Sequence, residues 1–147
     1  MTLPRIALTD NRDFRKGLEL FNQARFFDAH EALEDVWRLV PAHRSSKSHF
    51  QGMVQVAVAF HHQSTGNFVG ARSVLARALR NLRGGEATFP HIDLTRLRDE
   101  CQQWVDYLAF LLAQGCANQP SDEVGATALH PPALPRILFV YGFESTL

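Results

Sequence analysis

The stretch Phe26-Phe27-Asp28-Ala29-His30-Glu31-Ala32-Leu33-Glu34-Asp35-Val36-Trp37 decides the fold, because its apolar positions recur at helical rather than strand spacing. At about 100° per residue, His30, Glu34 and Trp37 fall within a sector roughly 60° wide, beside Phe27 and Leu33. The pattern predicts a helix that turns titratable groups toward what reads as a buried face. Acids in its early turns and Arg38 near its end suit the helix dipole. Pro41, which can neither donate to a helix nor continue it, ends the segment near Val40.

Working outward, Phe14, Leu18 and Phe21 recur at spacings of four and three, predicting a helix over 11–24 with a short break before Phe26. Beyond a polar, basic loop at 42–47, a long helix is expected over 48–65, with Phe50, Val54, Ala57, Val58 and the His61-His62 pair, stopped by Gly66. It is apolar on most sides, as a central helix covered on more than one face would be. Asn67 suits the cap of a fourth helix reaching about Arg83, with Val74, Leu75, Ala78, Leu79 and Leu82 as its stripe. After a turn around Phe89-Pro90, Asp93 or Thr95 caps a last helix carrying Leu97, Trp104, Leu108, Leu111 and Leu112 and ending at Gly115. The fold class is all-α, a compact bundle of about five helices built from antiparallel helix pairs, with an extended C-terminal tail.

Residues 1–116 read as the bundle and 117–147 as a polar tail whose Pro131-Pro132 favours extended chain. Its apolar end, Ile137-Leu138-Phe139-Val140-Tyr141, is expected to dock on the helices or on a second subunit, intramolecular docking being the simpler arrangement. The segments 25–30 and 67–72 share Phe and Ala, each opening the second helix of a pair. Two such units fall short of the roughly three that an open solenoid needs, so they suggest a compact bundle.

Composition narrows the function. A chain of 147 residues with 46% apolar content holds one core without disulfide or metal staples. Its 15 basic and 15 acidic residues cancel, leaving no global field to gather nucleic acid or an anionic membrane. Cys101 and Cys116 suggest neither a disulfide framework nor a zinc pair. The most apolar run, 53–60, is too short to span hydrocarbon, and 1–10 lacks the apolar core of a signal peptide. A cytoplasmic protein is the expectation. Arg72, Arg77, Arg80 and Arg83 form a basic flank without an accompanying nucleic-acid motif.

Known catalytic templates fail at named positions. His-Glu-x-x-His meets Glu34 where the second His should stand, and Glu-x-x-His meets Phe27 where its Glu should stand. No Ser or Cys occupies a recognisable nucleophile elbow. A composite site remains, because Gln51, Gln55 and His62 fall within about 40° on the next helix, facing His30 and Glu34 if the two helices pack antiparallel. His30, Glu34 and His62 suit a divalent metal such as zinc or iron, with Glu31 or Asp35 as proton acceptor at the rim. A structural alternative joins Glu34, His30, Gln51 and Gln55 in one hydrogen-bond network, with Trp37 as core. His61 reads as projecting elsewhere.

The run from Phe21-Asn22 through Trp37, then 50–62 and 66–72, resembles the domain of unknown function family number 309, over about 11–83. The family's hallmark His-x-x-x-Glu-x-x-Trp falls on His30, Glu34 and Trp37. The resemblance implies an all-helical fold and a suggested capacity to bind metal, with no established activity. Where such sequences often carry Gly before the second helix, this chain has Ala24, which slightly weakens the expectation of a left-handed turn there. The functional expectation is a binding or scaffold module with a buried cluster of His30, Glu31, Glu34, Trp37, Gln51, Gln55 and His62, engaging a protein partner or a second copy. The alternative is a metal-dependent enzyme, hydrolytic in kind, using the same cluster.

Overall fold

The computed structural model describes residues 11–115 and 130–139. Residues 1–10, 116–129 with Cys116, and 140–147 with Val140 and Tyr141 lie outside the described residues. The helices are α1 (Arg12–Asn22), α2 (Phe26–Leu39), α3 (Ser46–Ser64), α4 (Phe68–Leu82) and α5 (Leu94–Ala113), with a short 3-10 turn at Gly85–Ala87 before α5. Each helix packs chiefly on its neighbours in sequence: α1 on α2, α2 on α3, α3 on α4, and α4 on α5. All five match the expected helices, although α3 begins at Ser46, two residues earlier than its pattern suggests.

Caps explain the starts. The Asn11 side chain accepts from the amides of Asp13 and Phe14 at 2.7 and 3.3 Å, Asn67 from Gly70 at 3.0 Å, and Asp93 from Arg96 at 3.1 Å. Each uses a donor that the helix itself cannot satisfy.

The two segments that look alike in sequence are the same structural turn. At the end of α1 the Ala24 amide donates to Phe21 O and the Arg25 amide to Leu20 O, both at 2.9 Å. At the end of α3 the Gly66 amide donates to Gln63 O at 3.1 Å and the Asn67 amide to His62 O at 2.8 Å. Both turns need a left-handed residue before the last of these donors. Gly66 supplies it at φ 86°, and Ala24 adopts it at φ 61°. The left-handed turn therefore forms without the glycine that sequence reasoning asked for. Closure of the hairpin outweighs a local penalty of about 1–2 kcal/mol.

Inside the hairpins the helices approach closely. A Cβ on Gly17 would stand 2.7 Å from Leu33 Cγ, and one on Gly52 would stand 2.7 Å from Leu82 Cγ. The buried side chains include Phe14, Phe50 and Phe89, in mutual ring contact at 5.0–5.8 Å between centroids. Phe26 lies 5.2 Å from Phe21 and 5.6 Å from Phe60, and Trp104 stands 5.5 Å from Phe60. Phe14 meets Phe50 near the starts of α1 and α3, while Phe21 meets Phe60 at 6.1 Å near their ends, so these two helices run in the same direction.

Residues 130–139 lie against the bundle in extended form. Asn22 grips Ile137 from both sides, its Oδ1 accepting from the Ile137 amide at 2.8 Å and its Nδ2 donating to the Ile137 carbonyl at 2.9 Å. Trp104 Nε1 donates to Ala133 O at 3.0 Å, and the Asp93 amide donates to Leu138 O at 2.8 Å. Ile137 is buried as completely as the helical core.

Two outcomes follow. Ala24→Gly should raise unfolding stability by about 0.5–1 kcal/mol, the relieved left-handed strain less the extra chain entropy of glycine. Gly66→Ala should lower it by a similar amount, and chemical denaturation of both variants checks the pair. Asn22→Ala leaves a buried amide and carbonyl of Ile137 unpaired and should cost about 1–3 kcal/mol, with faster hydrogen exchange at the Ile137 amide. Unchanged exchange there would contradict the clamp.

Candidate functional site

The core ridge of α2 is Phe26, Ala29, Leu33 and Val36. His30 and Glu34 sit on its flank rather than on the ridge, with side chains 22% and 36% exposed. The expected burial of this polar pair is therefore corrected to a half-open position. The geometric reason is that one step and five steps beyond Ala29 rotate these side chains about 100° and 140° away from it.

His30 Nδ1 lies 2.9 Å from the carbonyl oxygen of Phe27. A carbonyl only accepts, so the proton of the neutral ring sits on Nδ1 and the lone pair is left on Nε2. Nε2 faces Glu34 Oε1 at 4.0 Å, and the same oxygen lies 3.4 Å from Arg38, which also reaches Asp35 at 3.3 Å. This is a line of charge down the outer side of α2. Exposed pairs of this kind contribute little net stability in water. Glu31 is exposed, and Asp35 is engaged by Arg38.

Trp37 ties the end of α2 to the start of α3. Lys47 Nζ donates to the Trp37 carbonyl at 2.7 Å and sits 3.8 Å from the centre of its ring. The Trp37 side chain is partly buried against the core, and its Nε1 is buried with no hydrogen-bond partner among the described residues.

At the other end of the same seam, Phe27 is 49% exposed and stands between two imidazoles, with His30 at 5.1 Å and His61 at 5.3 Å. His61 is the residue that sequence reasoning set aside. The signal was present in Val54, Val58 and His61, whose spacings of four and three define one side of α3.

The α3 residues expected to face His30 are divided. Gln55 Oε1 accepts from Asn81 Nδ2 of α4 at 2.7 Å, and His62 Nδ1 lies 3.4 Å from Asn67 Nδ2 in the α3–α4 turn. Gln51 is exposed. No single network joins Glu34, His30, Gln51 and Gln55, since Gln55 is used by α4 and Glu34 by Arg38. Among the described residues no three His, Cys, Asp or Glu side chains gather about one point as a metal ion would require. His30 and His62 belong to different seams of α3.

Cys101 is fully buried, and this burial, with the neighbouring Glu100 charge, pushes its thiol far above the ordinary range. The reactive thiolate is thereby suppressed. Alkylation followed by peptide mass analysis should label Cys101 only after unfolding, and native labelling would contradict its burial.

The comparisons place these features in a wider group. The chain is 34% identical over 58 residues to "Uncharacterized protein YpuF" of Bacillus subtilis (strain 168), covering 40% of this chain and 33% of that one. It is 31% identical over 78 residues to an "Uncharacterized protein" of Aquifex aeolicus (strain VF5), covering 53% of this chain and 23% of that one. The match thus spans a third or less of these relatives' own lengths. The family model described as "Domain of unknown function (DUF309)" matches residues 14–74, from α1 through the first half of α4 and including His30, Glu34 and Trp37. By that match, residues 14–74 of this chain are similar to DUF309.

Proposed function

We propose that this protein is a helical binding module whose contact surface is the end of the bundle where the two hairpin turns lie, centred on Phe27. The observation that carries the reading is the half-exposed Phe27 ring held between His30 and His61. A large apolar side chain left in water but fixed by its neighbours is pre-organised for contact, losing little further freedom on binding. Val69, which follows Phe68 as Phe27 follows Phe26, is 54% exposed at the equivalent place on the second hairpin. The repeated turn thus leaves an apolar side chain outside at the same position twice. The occupant on this reading is a polypeptide, either another protein or a second copy.

Photo-crosslinking from position 27, together with sedimentation of the purified chain, tests it. The expectation is an adduct formed at position 27 and lost when His61→Ala loosens the ring. Phe27→Ser should abolish association while costing less than about 1 kcal/mol of stability, because the side chain lies outside the core. A monomer at all concentrations, with no adduct from position 27 or 69, would contradict the proposal.

A second reading rests on the bare Nε2 of His30 beside Glu34. With an imidazole of α3 swung toward it, this pair offers nitrogen and carboxylate donors to zinc or iron, leaving a position for water and hydrolytic chemistry. Elemental analysis after metal-free purification and metal re-addition decides it. Stoichiometric metal lost in His30→Ala supports the reading, and no stoichiometric metal removes it.

A further inference from the structure

On the far side of α3 from the Phe27 seam, α4 and α5 diverge around a half-open groove of about 500 Å³. Its floor is apolar, with Leu79 and Val105, and its rim carries Arg80, Arg83 and Arg98 against the single carboxylate of Asp99. We propose that this groove binds a small phosphate monoester with a flat apolar body.

The chain as a whole is neutral, yet α4 contains no acidic residue, so its arginines have no compensating carboxylate on their own helix. Arg98 is held in place by Glu86, whose Oε2 accepts from its Nη1 at 2.9 Å. Arg80 and Arg83 are exposed. Guanidinium groups present planar pairs of donors that match the oxygens of a phosphate bidentately. The Thr95 hydroxyl lies in the same lining and adds a neutral donor. The volume falls within the range of about 300–1,000 Å³ common to small-molecule sites. The apolar floor selects for a ligand with more than a bare anion. Arg72 and Arg77 lie on the same helix but outside the groove, and they separate a shaped site from general positive charge.

The probe is phenyl phosphate, titrated into the full chain and followed by amide and arginine side-chain NMR shifts. We expect saturable binding in the range of about 0.1–1 mM, with shifts at Thr95, Arg80, Arg83 and Arg98. Inorganic phosphate should bind several-fold more weakly, since it leaves the floor unused. The double variant Arg80→Ala/Arg83→Ala should weaken phenyl phosphate by at least about tenfold, with circular dichroism confirming the fold. The Arg72→Ala/Arg77→Ala pair should change binding by less than about twofold. No saturation, equal affinity for inorganic phosphate, or equal loss in the two double variants would overturn the site. So would a single-stranded oligonucleotide that binds through these arginines when phenyl phosphate does not.

Discussion

The structure depends on α3 burying apolar surface on two sides at once. Phe50, Met53, Val56, Ala57 and Phe60 are all buried, and α3 packs on both α2 and α4. A helix in that position has no broad solvent face on which to keep polar groups. A polar side chain on either packed side must therefore enter that seam and find a partner there, whereas Gln51 falls on the narrow strip left to solvent. Gln55 enters the α4 seam and meets Asn81, while His61 enters the α2 seam and meets Phe27. The candidate surface is a consequence of this division. His30 and His61 come to flank one aromatic ring because α2 and α3 share a seam, and His62, one residue later, is carried about 100° round to the other side.

The hairpin turns fix that geometry. Both use the same pair of backbone hydrogen bonds and the same left-handed residue, and both start the following helix with a buried Phe. Ala24 shows how strongly the tertiary structure imposes the turn, since an alanine is held where glycine is at ease. The Asn22 clamp then uses the last residue of α1 to hold the backbone of Ile137, so the first hairpin also anchors the C-terminal segment.

The helices were legible because their apolar spacings and caps are local signals. Asn67 and Asp93 cap where their side chains suggest, and Gly66 terminates α3. The likeness to DUF309 was legible for a similar reason, since it rests on linear runs of sequence within residues 14–74. The site was only half legible. A helical wheel gives the angle between side chains but not the angle at which a neighbouring helix arrives. Gln55 and His62 were therefore grouped with His30, although the sector of about 40° that they share with Gln51 turns toward α4 and solvent rather than toward α2. The exposure of His30 and Glu34 was missed for the same reason, because Leu33 beside them marks the ridge and they mark its edge. The anchoring role of Asn22 had no local signal, since its partner lies 115 residues away.

The division of α3 between its two seams is tested most directly by NMR contacts among the aromatic and imidazole rings. The account predicts that Phe27 protons show cross-relaxation to both His30 and His61, and that His62 shows it to Asn67 and none to His30 or Phe27. Cross-relaxation from His62 to His30, with none from His61 to Phe27, would reverse the assignment of the seams and contradict the account.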